Sequence, residues 1–319
     1  MPIRLCLLLA LLAVSAPAFG QPATKPLQMI VPFAPGGSAD GIARLIATEL
    51  VAKSNRQVVV ENKPGAGGTL GLVLAAKAPP DGSTLAVAAT GALVINQHIP
   101  GSAPFDPLHD LVPIARLINI PIVLVTNAKS GPWTIKEIIA QSKIAAHGMS
   151  YGTTGANSSQ HLAVELMKKM TGANLVHVPY RGSVPAVTDV LGGQIPLASV
   201  DLTSAHEHIK SGALTAIGVT SAKRAKSAPD IPTIAEGGVA GYDGSQGFIG
   251  LFAPAGTPPA VVEQLSQETA AILARPDIQS KVQLLSVEPA YEDAASFGKF
   301  LTADSAKWKD VLQSLRPSN

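Results

Sequence analysis

Apolar and polar positions along this 319-residue chain alternate between two periods. Short apolar runs predict strands at Leu27–Val31, Val58–Val60, Thr84–Ala89, Ile122–Val125, Leu175–Val178, Ile195–Val200, Thr215–Val219 and Phe248–Ala253. Between them, apolar residues recur every three to four positions. Ile42, Leu45, Ile46 and Leu50 mark one helix, and Leu162, Leu166 and Met170 mark one face of another. Thr134 and Glu137 have capping-box spacing, with Trp133 and Ile138 at the spacing of a hydrophobic staple. Pro258 opens a helix through Val261, Val262, Leu265, Ile272 and Leu273, and a last amphipathic helix runs from about Asp293 to Leu315. This alternation predicts an α/β fold with mostly parallel sheets. The proline-rich stretches near Pro100–Pro121 and Pro254–Pro259 read as joints.

One unit occurs twice: an apolar strand, a glycine-bearing polar loop, then a helix. The loops are Phe33–Asp40 and Tyr151–Ser159, the second carrying the hydrogen-bonding side chains Thr153, Thr154, Asn157, Ser158 and Ser159. Glycine lets a backbone approach a ligand closely. A helix N-terminus presents unpaired N–H groups and the positive end of its dipole. Ligands of open α/β sheets sit outside the carboxyl ends of strands. Two such loops from two domains would close on an anion from both sides.

Composition narrows the candidates. Arg4, the apolar run Leu5–Val14 and the small residues Ser15–Gly20 read as a signal peptide, cut after Gly20 so that the mature chain begins at Gln21. The alternative cut follows Ala16-Pro17-Ala18. The expected compartment is the periplasm. The single cysteine, Cys6, lies inside that leader, so the mature chain has no thiol for disulfides, nucleophilic catalysis or thiolate–zinc sites. The mature length of 299 residues makes two domains the expectation. A net charge of +2, or +1 without Arg4, gives no case for nucleic acid or anionic membrane. Aromatic residues, at 4%, are too few for a stacking groove.

Several tempting motifs fail on spacing. Gly65-Ala66-Gly67-Gly68 follows a strand, but a dinucleotide fingerprint needs glycine where Leu70 stands. His206 and His208 are two apart on a helix and face different directions, so they cannot chelate a metal together. His161 and His177 read as locally hydrogen-bonded. No Gly-x-Ser-x-Gly elbow or acid/base pair recommends catalysis. No cofactor and no metal are expected.

At whole-chain scale the sequence resembles the Bug receptors, the solute-binding proteins of tripartite tricarboxylate transporters. The resemblance rests on "VPFAPGGSAD", "VVVENKPGAGGTLG", "APPDGSTL", "YGTTGANSSQHLAVELM", "HVPYRG", "VLGGQI", "AIGVTSAKR", "PDIPTIAEGGVAGY" and "LFAPAGTP", in that order. It implies a type II periplasmic binding-protein fold with a ligand cleft between two α/β lobes. The first lobe would be 21–124 plus 247–319, and the second 125–246. It also implies a small carboxylate or related amide held by backbone amides, hydroxyls and ordered water. The residues so implicated are Phe33, Gly36, Gly37, Ser38 and Asp40 in the first loop, Thr153, Ala156, Asn157 and Ser158 in the second, and Thr90 and Asp201 along the cleft. Asp40, an acid beside an anion site, makes more sense orienting loop N–H groups or water than touching the anion; its bland reading is dipole complementarity. Phe248 stands where the family often has tryptophan, and Ser83 where it often has an aromatic. The implied protein is a monomeric, non-enzymatic receptor delivering its ligand to membrane permease subunits or to a sensor protein. The alternative class is an exported enzyme acting on a small carboxylate.

Overall fold

A computed structural model of the chain describes residues 25–54, 57–102, 105–130 and 134–315. The leader and Trp133 of the staple therefore lie outside the described residues. The elements run β1 (Leu27–Val31), α1 (Ser38–Ser54), β2 (Val58–Asn62), α2 (Thr69–Ala76), β3 (Thr84–Ala89), α3 (Pro107–Asp110), β4 (Leu111–Ile120) and β5 (Ile122–Asn127). There follow α4 (Ile135–Ile144), β6 (Met149–Thr153), α5 (Ser159–Thr171), β7 (Leu175–Pro179), α6 (Ser183–Leu191), β8 (Leu197–Asp201), α7 (Leu202–Lys210) and β9 (Leu214–Val219). The chain closes with β10 (Gly247–Pro254), α8 (Pro259–Leu273), α9 (Pro276–Leu284), β11 (Glu288–Asp293) and α10 (Ala294–Leu315).

Two sheets result, ordered β11-β4-β10-β3-β1-β2 and β7-β6-β8-β5-β9. Both are mixed rather than mostly parallel. The βα units pair in parallel (β1 with β2 and β3; β6 with β7 and β8), whereas β4, β10 and β11 in one sheet and β5 and β9 in the other pair antiparallel. The reason is the path of the chain. It leaves the first sheet after β4 and returns as β10, so the strands that bring it across enter against the direction of the βα units. It crosses at Pro121. A boundary between 124 and 125 would cut β5, whose residues from Ile122 on already pair with β8. The return boundary, 246/247, falls where β10 begins.

Each sheet is apolar on both faces because helices cover both. In the first, Leu27, Met29, Val31, Leu85 and Val87 pack under Ile42, Ile46 and Leu50 of α1. The alternate residues Ile30, Ala86 and Ala88 face Leu72, Phe248, Phe252 and Phe297. In the second, Val123, Val125, Ala198 and Val200 face α6 and α7, while Leu124 and Leu197 face α4 and α5. The capping box forms: Thr134 Oγ1 accepts from Glu137 N–H, and the Glu137 carboxylate accepts from Thr134 N–H at 2.7 Å. The buried face of α5 is Leu162, Ala163, Val164 and Met167, not the Leu162–Leu166–Met170 stripe, and Met170 is exposed. Where the prolines read as a joint, the structure has β4, ten residues long. Its Pro113 faces Phe252 where the register with β10 shifts, and such an irregularity tolerates a residue without an N–H.

Candidate functional site

The strand ends of β1, β6 and β8 converge between the sheets, each feeding a helix. Between them lies a cavity lined by residues of both lobes, among them Phe33, Ala34, Gly37, Ser38, Gly91, Ile120, Thr154, Ser158, Ser159, Gln160, Ser183 and Asp201. The space open to the centre of a water molecule is about 40 Å³, enough for roughly three or four waters.

The first loop is organised from behind. Asp40 turns away from the cavity and accepts hydrogen bonds from Gly36 N–H at 3.1 Å, Asn62 Nδ2 at 2.9 Å and Arg44 Nε at 3.0 Å. Burial would raise its pKa. The bonds from Arg44, Asn62 and Gly36 outweigh burial and hold the carboxyl below its ordinary value. Asn62 also donates to Phe33 O at 3.0 Å, so one Asp–Asn–Arg cluster fixes both sides of the loop. Gly36 has φ +89°, which a side chain rarely adopts.

The second loop ends in the N-cap Ser158, whose Oγ accepts from His161 N–H at 3.2 Å and donates to Gly155 O at 2.8 Å. The N–H groups of Ser159 and Gln160, the first two of α5, have no partner within the helix. The Gln160 carbonyl accepts from the hydroxyls of Thr154 (3.1 Å) and Ser159 (3.2 Å). No described residue accepts from the Gln160 amide nitrogen, although Gln160 is only 7% exposed and lines the cavity.

Asp201, at the end of β8, is the third wall. Its Oδ2 accepts the first N–H of α1, that of Ser38, at 2.7 Å, and its Oδ1 accepts from Ser204 Oγ at 2.7 Å. Its own N–H donates to Ser183 Oγ at 3.1 Å. Gly37 makes room for this: a Cβ there would stand 3.3 Å from Asp201 Oδ2. The N-terminus of α1, the expected ligand position, thus already receives a carboxylate from the opposite lobe. Among the described residues, no Lys, Arg or His lines the cavity.

Of the residues implicated by resemblance, Phe33, Gly37, Ser38, Ser158 and Asp201 line the cavity; Gly36, Asp40, Thr90, Thr153, Ala156 and Asn157 do not. Thr90 Oγ1 accepts from Phe248 N–H at 2.9 Å and ties β3 to β10. Thr153 Oγ1 meets His177 Nε2 at 2.7 Å beneath the loop. Asn157, at φ +60°, donates its N–H to His161 Nδ1 at 3.1 Å. Sequence reading passed over Gln160 and Ser183 as site residues. The available signal was position: each stands in the first turn of a helix that follows a glycine loop.

Under the second loop, His161 and His177 stack with ring centroids 4.0 Å apart. Glu165 lies beside them and accepts from Tyr151 OH and Lys168 Nζ, both at 2.7 Å. Burial, then the neighbouring His161, pushes His177 down to about 4. Burial also lowers His161, against the pull of Glu165.

The lobes touch across the cleft. Ala34 N–H donates to Arg181 O at 3.0 Å. A Cβ on Gly67 would come within 2.6 Å of Ala156 O, and one on Gly91 within 2.9 Å of Asn157 O and Ser158 Cα. These glycines let backbone meet backbone.

Two α/β lobes closed on a cavity walled by helix N-termini define a solute-binding receptor. The chain belongs to the tripartite tricarboxylate transporter receptor family, whose model matches residues 42–316. It is 34% identical to protein BugT of Bordetella pertussis over 290 residues, 91% of this chain and 89% of that protein. Among solved structures it is similar to R. palustris Rpa4515 with adipate, at 29% identity and TM-score 0.87, covering 92% of this chain and 97% of that one. It is also similar to MatC of Rhodopseudomonas palustris with bound malate, at 26% identity and TM-score 0.83, covering 90% and 99%. The periplasmic binding protein BugD is similar as well, at 31% identity and TM-score 0.85, covering 91% of this chain and 97% of that one.

Proposed function

We propose that this chain is a periplasmic receptor that closes its lobes around one small organic carboxylate and hands it to the membrane subunits of a tripartite transporter. The observation that carries the reading is the first turn of α5, which lines the cavity with N–H groups that have no acceptor within the helix. The N–H groups of Ser159 and Gln160, with the Gln160 amide nitrogen that donates to no described residue, offer donors to an anion in the cavity between the lobes. Charge-assisted bonds of this kind strengthen where the dielectric is low. Closure is a population shift: the ligand contacts both lobes only when they are shut, and that difference in affinity drives the change. The bodies that move are the two sheets with their helices, joined at Pro121 and at Ser245-Gln246, just before β10. Adipate and malate in the two structural neighbours support the ligand class.

The same geometry argues against turnover. Asp201 is bonded to a backbone amide and a hydroxyl, and among the described residues no basic side chain lines the cavity to activate a nucleophile. The leader fits export, and among the described residues no helix is long and apolar enough to cross a membrane.

The test has two parts. Protein recovered from the periplasm of an exporting host should begin at Gln21 by N-terminal sequencing. Native mass spectrometry and a thermal-shift screen should then find stabilisation by small carboxylates, about 2.7 kcal/mol at 100 times Kd, and none by sugars or nucleotides. Stabilisation by nucleotides and by no carboxylate would overturn the reading.

A further inference from the structure

The cavity is chemically lopsided. The loop after β6 offers the N-terminus of α5 and the Gln160 amide nitrogen, which donates to no described residue. The end of the neighbouring strand β8 holds the Asp201 carboxylate, 3% exposed, and no Lys, Arg or His is among the described lining residues. Each Asp201 oxygen accepts one hydrogen bond from the protein, from Ser38 N–H and from Ser204 Oγ. A carboxylate has about four acceptor sites, so about two remain for a donor brought by the ligand. From this we infer that Asp201 sets specificity: the receptor takes a monocarboxylate that carries an N–H donor, an ammonium or amide, at the Asp201 end, in preference to a dicarboxylate. The inference rests on the proposed carboxylate-receptor function and sharpens it.

The argument is one of charge and hydrogen-bond accounting. A ligand carboxylate on α5 replaces water with fixed donors. A second carboxylate would have to lie in the same small enclosure as Asp201, with neither guanidinium nor ammonium to separate the two. It would also find Ser38 N–H, the leading donor of α1, already engaged. Like charges brought together in a desolvated site act as a device against the wrong partner. An amide or ammonium in that position donates to the remaining lone pairs of Asp201 instead. Asp201 is held for this role on three sides, by the bond from Ser204, by the N–H of Ser38 and by its own N–H on Ser183. Gly37 leaves no Cβ between the carboxylate and the helix end.

The probes are isosteric pairs that differ only in the second group: succinate and succinamate, glutarate and glutaramate, adipate and adipamate. Calorimetric titration of the full mature chain gives the ratio of affinities within each pair. For the chain length that binds best, the monoamide should bind roughly 10- to 100-fold tighter than its dicarboxylate. Asp201→Asn keeps the shape and removes the charge, and should shrink that ratio at least tenfold. His206→Ala, in α7 and outside the cavity lining, should leave it unchanged. Tighter binding of the dicarboxylate by the unaltered chain overturns the inference whether or not Asp201→Asn folds. So does an unchanged ratio in folded Asp201→Asn. In both cases the carboxylate-receptor reading survives. If neither member of any pair binds, and no other carboxylate does, that reading fails and the inference with it.

Discussion

Gly91→Ala separates closure from folding. Gly91 opens a π-helical turn, Gly91–Ile95, directly after Thr90, and its φ is not in the left-handed region. Alanine therefore meets no backbone strain there, and in a helical turn it is more stable than glycine by about 0.5–1 kcal/mol. The added Cβ does meet the opposite lobe, standing 2.9 Å from both Asn157 O and Ser158 Cα in the closed form. Carbon–carbon contacts are optimal at about 3.5–4.0 Å, so the lobes must part by roughly half an ångström or more. The obstacle is backbone, which cannot rotate aside. Overpacking of this kind costs about 1–3 kcal/mol, here only in the closed state. Ligand affinity should fall about 5- to 150-fold, while unfolding free energy without ligand stays level or rises slightly. Titration calorimetry with the carboxylate giving the largest thermal shift measures the first quantity, and urea denaturation the second. Small-angle scattering should show the variant keeping a larger radius of gyration at a ligand concentration that compacts the unaltered chain. Gly298→Ala, in α10, where the nearest foreign atom to a Cβ is Pro113 Cγ at 3.9 Å, serves as the control and should leave binding unchanged. Binding by Gly91→Ala within twofold of the unaltered chain would show that the lobes do not shut against each other at this point when ligand is bound.

Two further outcomes follow from the same geometry. Because His177 titrates near 4 in the folded chain against 6.5 for an ordinary imidazole, the unfolded chain binds the extra proton first, so stability is full above pH 6.5 and declines as pH falls from 6.5 to about 4. Full linkage gives at most about 3 kcal/mol, and solvent access to the partly exposed ring reduces this to about 1–2 kcal/mol; urea titrations at pH 7 and pH 5 of the unaltered chain and His177→Gln should show the slope in the first and a reduced slope in the second. Asp40→Asn removes the charge that accepts from Gly36, Asn62 and Arg44, and should lower unfolding free energy by about 2 kcal/mol; ligand affinity should change less than in Gly91→Ala, as expected of a residue that shapes the loop without lining the cavity.

The strand–loop–helix units were legible because each is local: an apolar run, two or more glycines and a helical period lie within twenty residues. β1 and β3 have the bounds their apolar runs predict. What was not legible depends on partners distant in the chain. β4 hides because Pro113 within it and Pro107 and Pro121 beside it resemble a linker, and only the register shift opposite Phe252 makes Pro113 acceptable. β11 hides because "EPAYED" is half charged, as suits an edge strand with alternating exposure. The parallel bias failed for the same reason, since the direction of a returning strand is set by the path between lobes and not by its residues. At the site, Asp40 holds the loop's Gly36 N–H, as its place beside an anion site suggested, whereas Thr153, an expected polar residue in the expected loop, points behind it. Loop membership gives a residue's neighbourhood, while its orientation is decided by the nearest fixed partner: Arg44 and Asn62 for one, His177 for the other.

Asp201 shows how far the division goes. Nothing in "SVDLTSA" distinguishes it from an ordinary helix N-cap, and it lies 163 positions from the amide it holds. It acts only when the lobes meet. A receptor that grips its anion with main-chain N–H groups cannot tune that half of its site by substitution, because every residue type except proline supplies the same donor. Selectivity has to come from the side chains lining the cavity, whose polar members among the described residues are Ser38, Thr154, Ser158, Ser159, Gln160, Ser183 and Asp201. All but Asp201 are neutral and able to accommodate a donor or an acceptor by rotation of a hydroxyl or amide. Asp201 alone has a fixed sign, and its sign opposes that of the ligand group the rest of the cavity is built to receive. On the specificity proposed above, fold and closure need not change for a receptor of this kind to take a different carboxylate, because the second group on the ligand meets a single charged residue, Asp201.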